Sequence, residues 1–390
     1  MVSPIDADKT VVLGAIAHGG ACVARLPGDG GGRVVFVRGG IPGERVRIGL
    51  TDTSRQSWWR GVVIEVIDAS PDRVSPPCPV AGVCGGCDWQ HIGLRRQREL
   101  KAQIVVEQLQ RLGQVDWPEP VVEPVPGDCD GLAWRTRMRY QVSGQAIGLR
   151  AWGSHDLVET PAGGCPLVAP GGPGDDTVAS LIAGFGAEQV GVTIASSGWT
   201  VWLPDGKTVC GDEVVTQHAT GRDFHVRADG FWQVHPGAAD ALSGAVMAML
   251  QPKPGASATD LYCGAGLFSA ALADAKVQVL GVEADASAVA LARINVPEAK
   301  FITSRVERAR IGASSIVVLD PPRAGAGRGV IKRIASANPT AIAYVACDPA
   351  SLARDTATLL ACHYRLTALA AFDVFPMTAH VETVALFETE

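Results

Sequence analysis

Two hydrophobic rhythms divide this chain. From residue 10 to 67 apolar positions alternate in short β-type runs, VVLGAIA, RVVFVRG, ERVRIGL and RGVVIEVI, broken by HGG, PGDGGG, GGIPGE and DTSRQS. Such spacing predicts a small antiparallel barrel. The Gly-rich breaks are not phosphate loops, because no GK[ST] follows and no helix begins there. From about residue 226 onward the rhythm changes. SATDLYCGAGLFSAALA, KVQVLGVEADASAVALARINV, SIVVLDPPRAG, TAIAYVACDPASLARD and YRLTALAAFDVFP alternate apolar strands with Ala-rich helices. That alternation predicts a doubly wound, mostly parallel sheet, with ligands beyond the carboxyl ends of its strands.

Between these regions SPDRVSPPCP reads as a Pro-rich boundary. Ile104, Val105, Leu109 and Leu112 fall at helical spacing, with Gly113 just past them, and predict an amphipathic helix over Leu94 to Leu112. Residues 120 to about 225 mix β-like runs with a Gly/Pro-rich loop and are the least legible part of the chain.

A length of 390 residues exceeds one ordinary core. A hydrophobic content of 47% with 19% charged residues is that of a globular protein. The N-terminus lacks a cationic segment followed by an apolar run, and no stretch approaches the ~18 apolar residues of a membrane span. A cytoplasmic protein without membrane contact is therefore expected. A net charge of −6 argues against a general nucleic-acid coat protein but leaves room for a local basic groove. Arg135, Arg137 and Arg139 alternate in WRTRMRYQV, as a groove wall or a solvated strand edge.

Ten cysteines in such a chain are better read as metal or catalytic ligands than as disulfides. Three of them, Cys78, Cys84 and Cys87, lie within CPVAGVCGGC. DLYCGAG sets a strand end against a turn in which Gly264 and Gly266 admit a nucleoside, and Glu283 ends the next strand where a carboxylate can hold ribose hydroxyls. This pattern alone leaves a dinucleotide and S-adenosylmethionine open, although C-G-A-G-L departs from G-x-G-x-x-G. In LDPPRAG two prolines stiffen the loop after Asp320. Cys347 ends an apolar strand before a helix whose dipole is expected to favour its thiolate, whereas Cys22, Cys129, Cys210 and Cys362 lack such a setting. A thiolate beside a methyl donor suits methylation of pyrimidine carbon 5, which needs addition at carbon 6 and then a base. Glu382 is the candidate base, with a surface role as its alternative.

DLYCGAG, LDPPRAG, ACDPASLARD and FDVFPMTAHVE, in this order, resemble the S-adenosylmethionine-dependent RNA uracil-5 methyltransferase family. DGFWQVHP is similar to the family's motif ahead of its catalytic core, and IAHGGACVARLPGDGGGRVVFVRGGIPGERVRI to its TRAM domain. The resemblance implies an α/β protein of three parts. These are an OB-like TRAM barrel (3–67), a small α+β central domain with an iron–sulfur site (72–225), and a Rossmann-like methyltransferase domain (226–390). The helix at about 92–113 is then either central or packed on the last domain.

The resemblance further implies S-adenosylmethionine contacts from Gln233, Tyr262, Glu283 and Asp320, and Cys347 as nucleophile with Glu382 as base. Phe231 would stack on the uracil, with Asp320 also facing it. Cys78, Cys84, Cys87 and Cys165 would hold a 4Fe-4S cluster, for which zinc is the alternative occupant. Ribosomal or transfer RNA is the implied partner of a monomer. His235 and Leu267 depart from the usual Asn and draw attention to the pocket's edge. The competing readings are a non-catalytic RNA-binding protein with an iron–sulfur module, a methyltransferase of another base, and a flavin- or NAD-linked iron–sulfur oxidoreductase.

Overall fold

The computed structural model describes residues 6–26, 32–312 and 314–389. Residues 3–5 of the predicted first domain and nearly all of its PGDGGG break lie outside them. Five strands, Asp6–Val12, Cys22–Leu26, Arg33–Arg38, Arg45–Asp52 and Trp58–Asp68, make an N-terminal sheet in the order first, fourth, fifth, third, second. Just beyond the first strand Gly14 N donates to Val23 O (2.8 Å) and Val23 N to Ala15 O (2.9 Å), so the two sheet edges meet.

Two features of this sheet depart from the sequence reading. Cys22–Leu26 was not among the predicted runs, although Cys22, Ala24 and Leu26 are buried on one face. Its five residues, set in sequence between Gly19–Gly20 and Pro27, are too few to show a rhythm. The sheet is also not wholly antiparallel, because Arg33–Arg38 pairs in parallel with Trp58–Asp68. The fifth strand is inserted between two that run in opposite directions, so it must run parallel to one of them.

A second sheet has six antiparallel strands in the order Thr208–Cys210, Gly198–Trp202, Gln189–Ala195, Arg137–Ser143, Ala146–Arg150, Leu157–Glu159. Its centre requires a glycine: a Cβ on Gly191 would fall 2.1 Å from the Trp202 ring. The hairpin Val214–Ala219/Arg222–Arg227 leads to the last region.

There eight strands run in the order Lys300–Thr303, Gln278–Glu283, Ser257–Leu261, Ile316–Leu319, Ala341–Ala346, Glu382–Thr389, Tyr364–Asp373, Val122–Pro124. The first five are mutually parallel, and Glu382–Thr389 runs against them. The eighth strand comes from the middle of the chain, so residue 226 is not a clean boundary. Ala102 and Val105 of the helix Leu94–Gln108, with Leu109 just past it, pack with Val122 against Ala353, Ala371 and Val381. Burial of that apolar stripe holds the segment to the C-terminal sheet. The helix closes in a π turn, Leu109–Gly113, and Gln114 (φ 56°) takes the left-handed cap, one residue later than the glycine signal suggested. Among the described residues no helix is long and apolar enough to cross a membrane.

Candidate active site

The carboxyl ends of the central strands converge on one cleft that is open at its mouth. Tyr262 and Gly264 follow Ser257–Leu261, Glu283 closes Gln278–Glu283, Asp320 follows Ile316–Leu319, and Cys347 follows Ala341–Ala346; all line it. Glu382 enters from the antiparallel strand. Ala346 pairs with Thr383 there, so one further step of the same register sets Cys347 across from Glu382. Directly opposed residues of such a ladder have Cα atoms ~4.5–5.5 Å apart.

Tyr262 has a φ of 62°, unusual for a residue with a Cβ, and Gly264 (φ 51°) and Gly266 (φ 95°) complete the turn into the helix Leu267–Asp274. The Glu283 carboxylate accepts from Gly264 N (3.2 Å), Ala284 N (2.6 Å) and Asp285 N (2.9 Å), which fixes it beside that turn. Phe231, 72% exposed, stands at the mouth, and Gln233 lies inside.

Three buried acids and a thiol lie at or beneath this floor. Burial pushes Asp260 up to about 7, although Ser269 Oγ donates to it at 2.6 Å, and its Oδ1 has no protein partner. Burial, reinforced by Asp260, pushes Asp320 up to about 7 as well. Glu382 is 3% exposed, which removes its surface reading, and burial followed by Asp320 raises its carboxyl well above the usual range. The Cys347 thiol is pushed up to about 12 by burial, then by Glu382 and Asp320, with Arg323 opposing.

Burial and the facing acids therefore work against the thiolate that the helix terminus was expected to favour. Asp348 caps the helix Pro349–Leu360 by accepting from Ser351 N at 2.7 Å, so a carboxylate, and not the sulfur, occupies the positive end. Asp348 also pairs with His18 Nε2 at 2.8 Å, which brings a loop of the N-terminal sheet to the site. Gly20 of that loop has no room for a side chain, because a Cβ would lie 2.6 Å from Ala379.

Cys78, Cys84, Cys87 and Cys165 line a second, narrow cavity. Gln90 ties the loop together, accepting from Cys78 N (3.0 Å) and donating Nε2 to Cys87 Sγ (3.1 Å). Gly86 N donates to Cys84 Sγ at 3.4 Å, and the Leu167 amide to Cys165. Among the described residues no group of three or more His, Cys, Asp or Glu side chains is arranged as a ready-made cage for a metal ion.

Arg135, Arg137 and Arg139 line a groove with Trp202 and Phe231 that adjoins both cavities. Arg139 lies over the Trp202 ring at 5.2 Å, while Arg137 Nη1 donates to Ala228 O and Gly230 O. His235 and Leu267 do not shape the pocket's edge. His235, 1% exposed, stacks on Trp134, and Leu267 is buried in the core. Among the pocket residues that the sequence reading passed over inside motifs it had marked are Arg323 in LDPPRAG and Phe375 and His380 in FDVFPMTAHVE. Their signal was proximity to the marked acids.

A family model described as tRNA (uracil-5-)-methyltransferase matches residues 304–390. An RNA methyltransferase of Streptomyces avermitilis is 40% identical, with 97% of each chain covered. The 23S rRNA (uracil(1939)-C(5))-methyltransferase RlmD of Alkalilimnicola ehrlichii is 31% identical, with 92% of each covered. The crystal structure of Pyrococcus abyssi tRNA (uracil-54, C5)-methyltransferase with S-adenosyl-L-homocysteine superposes with a TM-score of 0.72 at 22% identity, over 96% of this chain and 99% of that one. That likeness shows the shared α/β methyltransferase fold. The chain belongs to the S-adenosylmethionine-dependent RNA (uracil-5-)-methyltransferase family.

Proposed function

We propose that the protein methylates carbon 5 of a uridine in structured ribosomal or transfer RNA through a covalent Cys347 adduct. The observation that carries this reading is that Cys347 and Glu382, each at the end of a paired strand, line the same cleft floor, close enough that Glu382 helps to raise the thiol. The Cys347 sulfur bonds to carbon 6 of uracil as the thiol proton passes to solvent, and the electron pair moves into an enolate across carbon 5 and the 4-carbonyl. Carbon 5 then takes the methyl group, and the donor's sulfonium becomes a neutral thioether. The Glu382 carboxylate removes the carbon-5 proton, the carbon–sulfur bond breaks, and 5-methyluridine is released.

Gln233, Tyr262, Glu283 and Asp320 are the proposed contacts to S-adenosylmethionine, which supplies an electrophilic methyl group on a cationic sulfur. A cation bound beside these buried acids would favour their ionised forms. Phe231 at the mouth is placed to stack on an extruded uracil, offsetting lost stacking in the RNA, and Asp320 also faces that space. The groove of Arg135, Arg137 and Arg139 gives an acidic protein a local path for the RNA backbone. The N-terminal sheet, with its meeting edges, is read as the TRAM domain.

The reading of a 4Fe-4S cluster on Cys78, Cys84, Cys87 and Cys165 is supported by an all-thiol donor set and by amide and Gln90 donors that aim at three of the sulfurs. A bound cluster would cross-link residues 78–87 to Cys165. The test is nucleoside mass spectrometry on transfer and ribosomal RNA lacking 5-methyluridine, after incubation with anaerobically purified protein and S-adenosylmethionine. New 5-methyluridine that is absent with Cys347→Ala supports the reading; no product in either RNA contradicts it.

A further inference from the structure

We propose that Met377 is the positioning residue through which the four-cysteine segment holds the catalytic loop in place. Met377 lies between Phe375 and His380, both of which line the cleft, and five residues before Glu382. Its φ of 65° is a costly conformation for a residue with a long side chain. Such strain persists only where the surroundings over-determine it, and here every polar atom of Met377 is engaged.

Its N–H donates to Gln97 Oε1 at 2.9 Å, and its carbonyl accepts from both Asp88 N and Trp89 N at 3.0 Å. Gln97 Nε2 reaches its Sδ at 3.4 Å while also donating to Trp89 O and Ile92 O. Gln97 is wholly buried. Asp88 and Trp89 directly follow Cys87, so the cysteine segment hydrogen-bonds to the catalytic loop without an intermediary. The side chains repeat the connection: Met377 packs with Trp134 and Leu167, and Cys87, Cys165 and Phe375 lie against the same small core. A second tether acts two residues earlier, where Lys101 Nζ donates to Phe375 O at 3.0 Å and to Asp373.

Order in the segment around Cys87 is thus a condition for order in the loop that ends on Glu382. The two should open as one unit. The functional consequence rests on the reading of Cys347 and Glu382 as the catalytic pair, whereas the physical coupling does not.

Hydrogen exchange followed by mass spectrometry tests both. In wild-type protein, air oxidation of the cysteine site is expected to raise exchange at least tenfold in residues 84–92 and in 374–382 together, with the site's metal content and spectrum measured alongside. Met377→Gly, which accepts the backbone conformation but gives up the side-chain contacts, is expected to raise exchange in 374–382 and to lower kcat at least tenfold. The dissociation constant for S-adenosylmethionine should stay within about twofold. Met377→Leu, which keeps the packing, should restore most of the rate. Loss of protection confined to 84–92 on oxidation, or Met377→Gly with unchanged exchange in 374–382, would overturn the proposal. If exchange is coupled but wild type makes no 5-methyluridine, the positioning stands and the catalytic reading falls.

Discussion

Asp320 is expected to make methyl-donor binding pH-dependent in a way that a neutral analogue does not share. Burial, reinforced by Asp260, holds its carboxyl near 7. The sign follows directly: with the pKa raised, the carboxylate is present at high pH and lost as pH falls through about 7. A group with that pKa is about 90% ionised at pH 8 and about 10% at pH 6. At ~4–5 Å and an effective dielectric near 20, a carboxylate attracts a sulfonium by ~3–4 kcal/mol, so the ionised form accounts for nearly all tight binding. The affinity ratio of S-adenosylmethionine to S-adenosylhomocysteine, measured by calorimetry, should rise about ninefold between pH 6 and 8, following the ionised fraction. Binding at pH 7 should release about half a proton, read from buffers of different ionisation enthalpy. Asp320→Asn should flatten the ratio. A ratio that is already flat in the wild type, or a slope that survives in Asp320→Asn, would refute the reasoning.

Three further outcomes follow from the same site and fold. Because burial and the facing acids hold Cys347 up near 12, its alkylation by iodoacetamide in the free enzyme should climb about tenfold per pH unit from pH 7 to 10 without a plateau; a plateau near pH 8 would show an activated thiolate. Phe231→Ala should weaken RNA binding about 5- to 150-fold, the equivalent of ~1–3 kcal/mol of base stacking, while leaving donor affinity unchanged in a filter-binding and calorimetry comparison. Gly191→Ala drives a Cβ into the Trp202 ring and should cost about 1–3 kcal/mol, seen as a lower melting temperature by circular dichroism; an unchanged melting temperature would mean that the second sheet is looser than drawn.

The centre of the C-terminal sheet was legible because Ile316–Leu319 and Ala341–Ala346 are buried on both faces and announce themselves as apolar runs that end on candidate site residues. Asp320 and Cys347 could be marked for that reason alone. Glu382 could not be separated from a surface residue until the antiparallel register placed it opposite Cys347. The environment of Cys347 was misread because Asp348, its chain neighbour, competes with the sulfur for the helix terminus, and sequence order does not say which of two adjacent groups wins. The strand Val122–Pro124 was invisible at three residues, since its place in the sheet is decided by a helix that precedes it. Met377 carries no sequence signal either, because its strain comes from partners about 280 positions away.

The most direct test of the central claim is adduct trapping. Glu382→Gln removes the base that takes the carbon-5 proton and leaves Cys347 free to add. On incubation with S-adenosylmethionine and RNA lacking 5-methyluridine, a protein–RNA species stable to denaturing electrophoresis should accumulate, with a digested peptide that carries a methylated uridine on Cys347. The double variant with Cys347→Ala should form none. An adduct on another residue, or 5-methyluridine released at the wild-type rate by Glu382→Gln, would contradict the account.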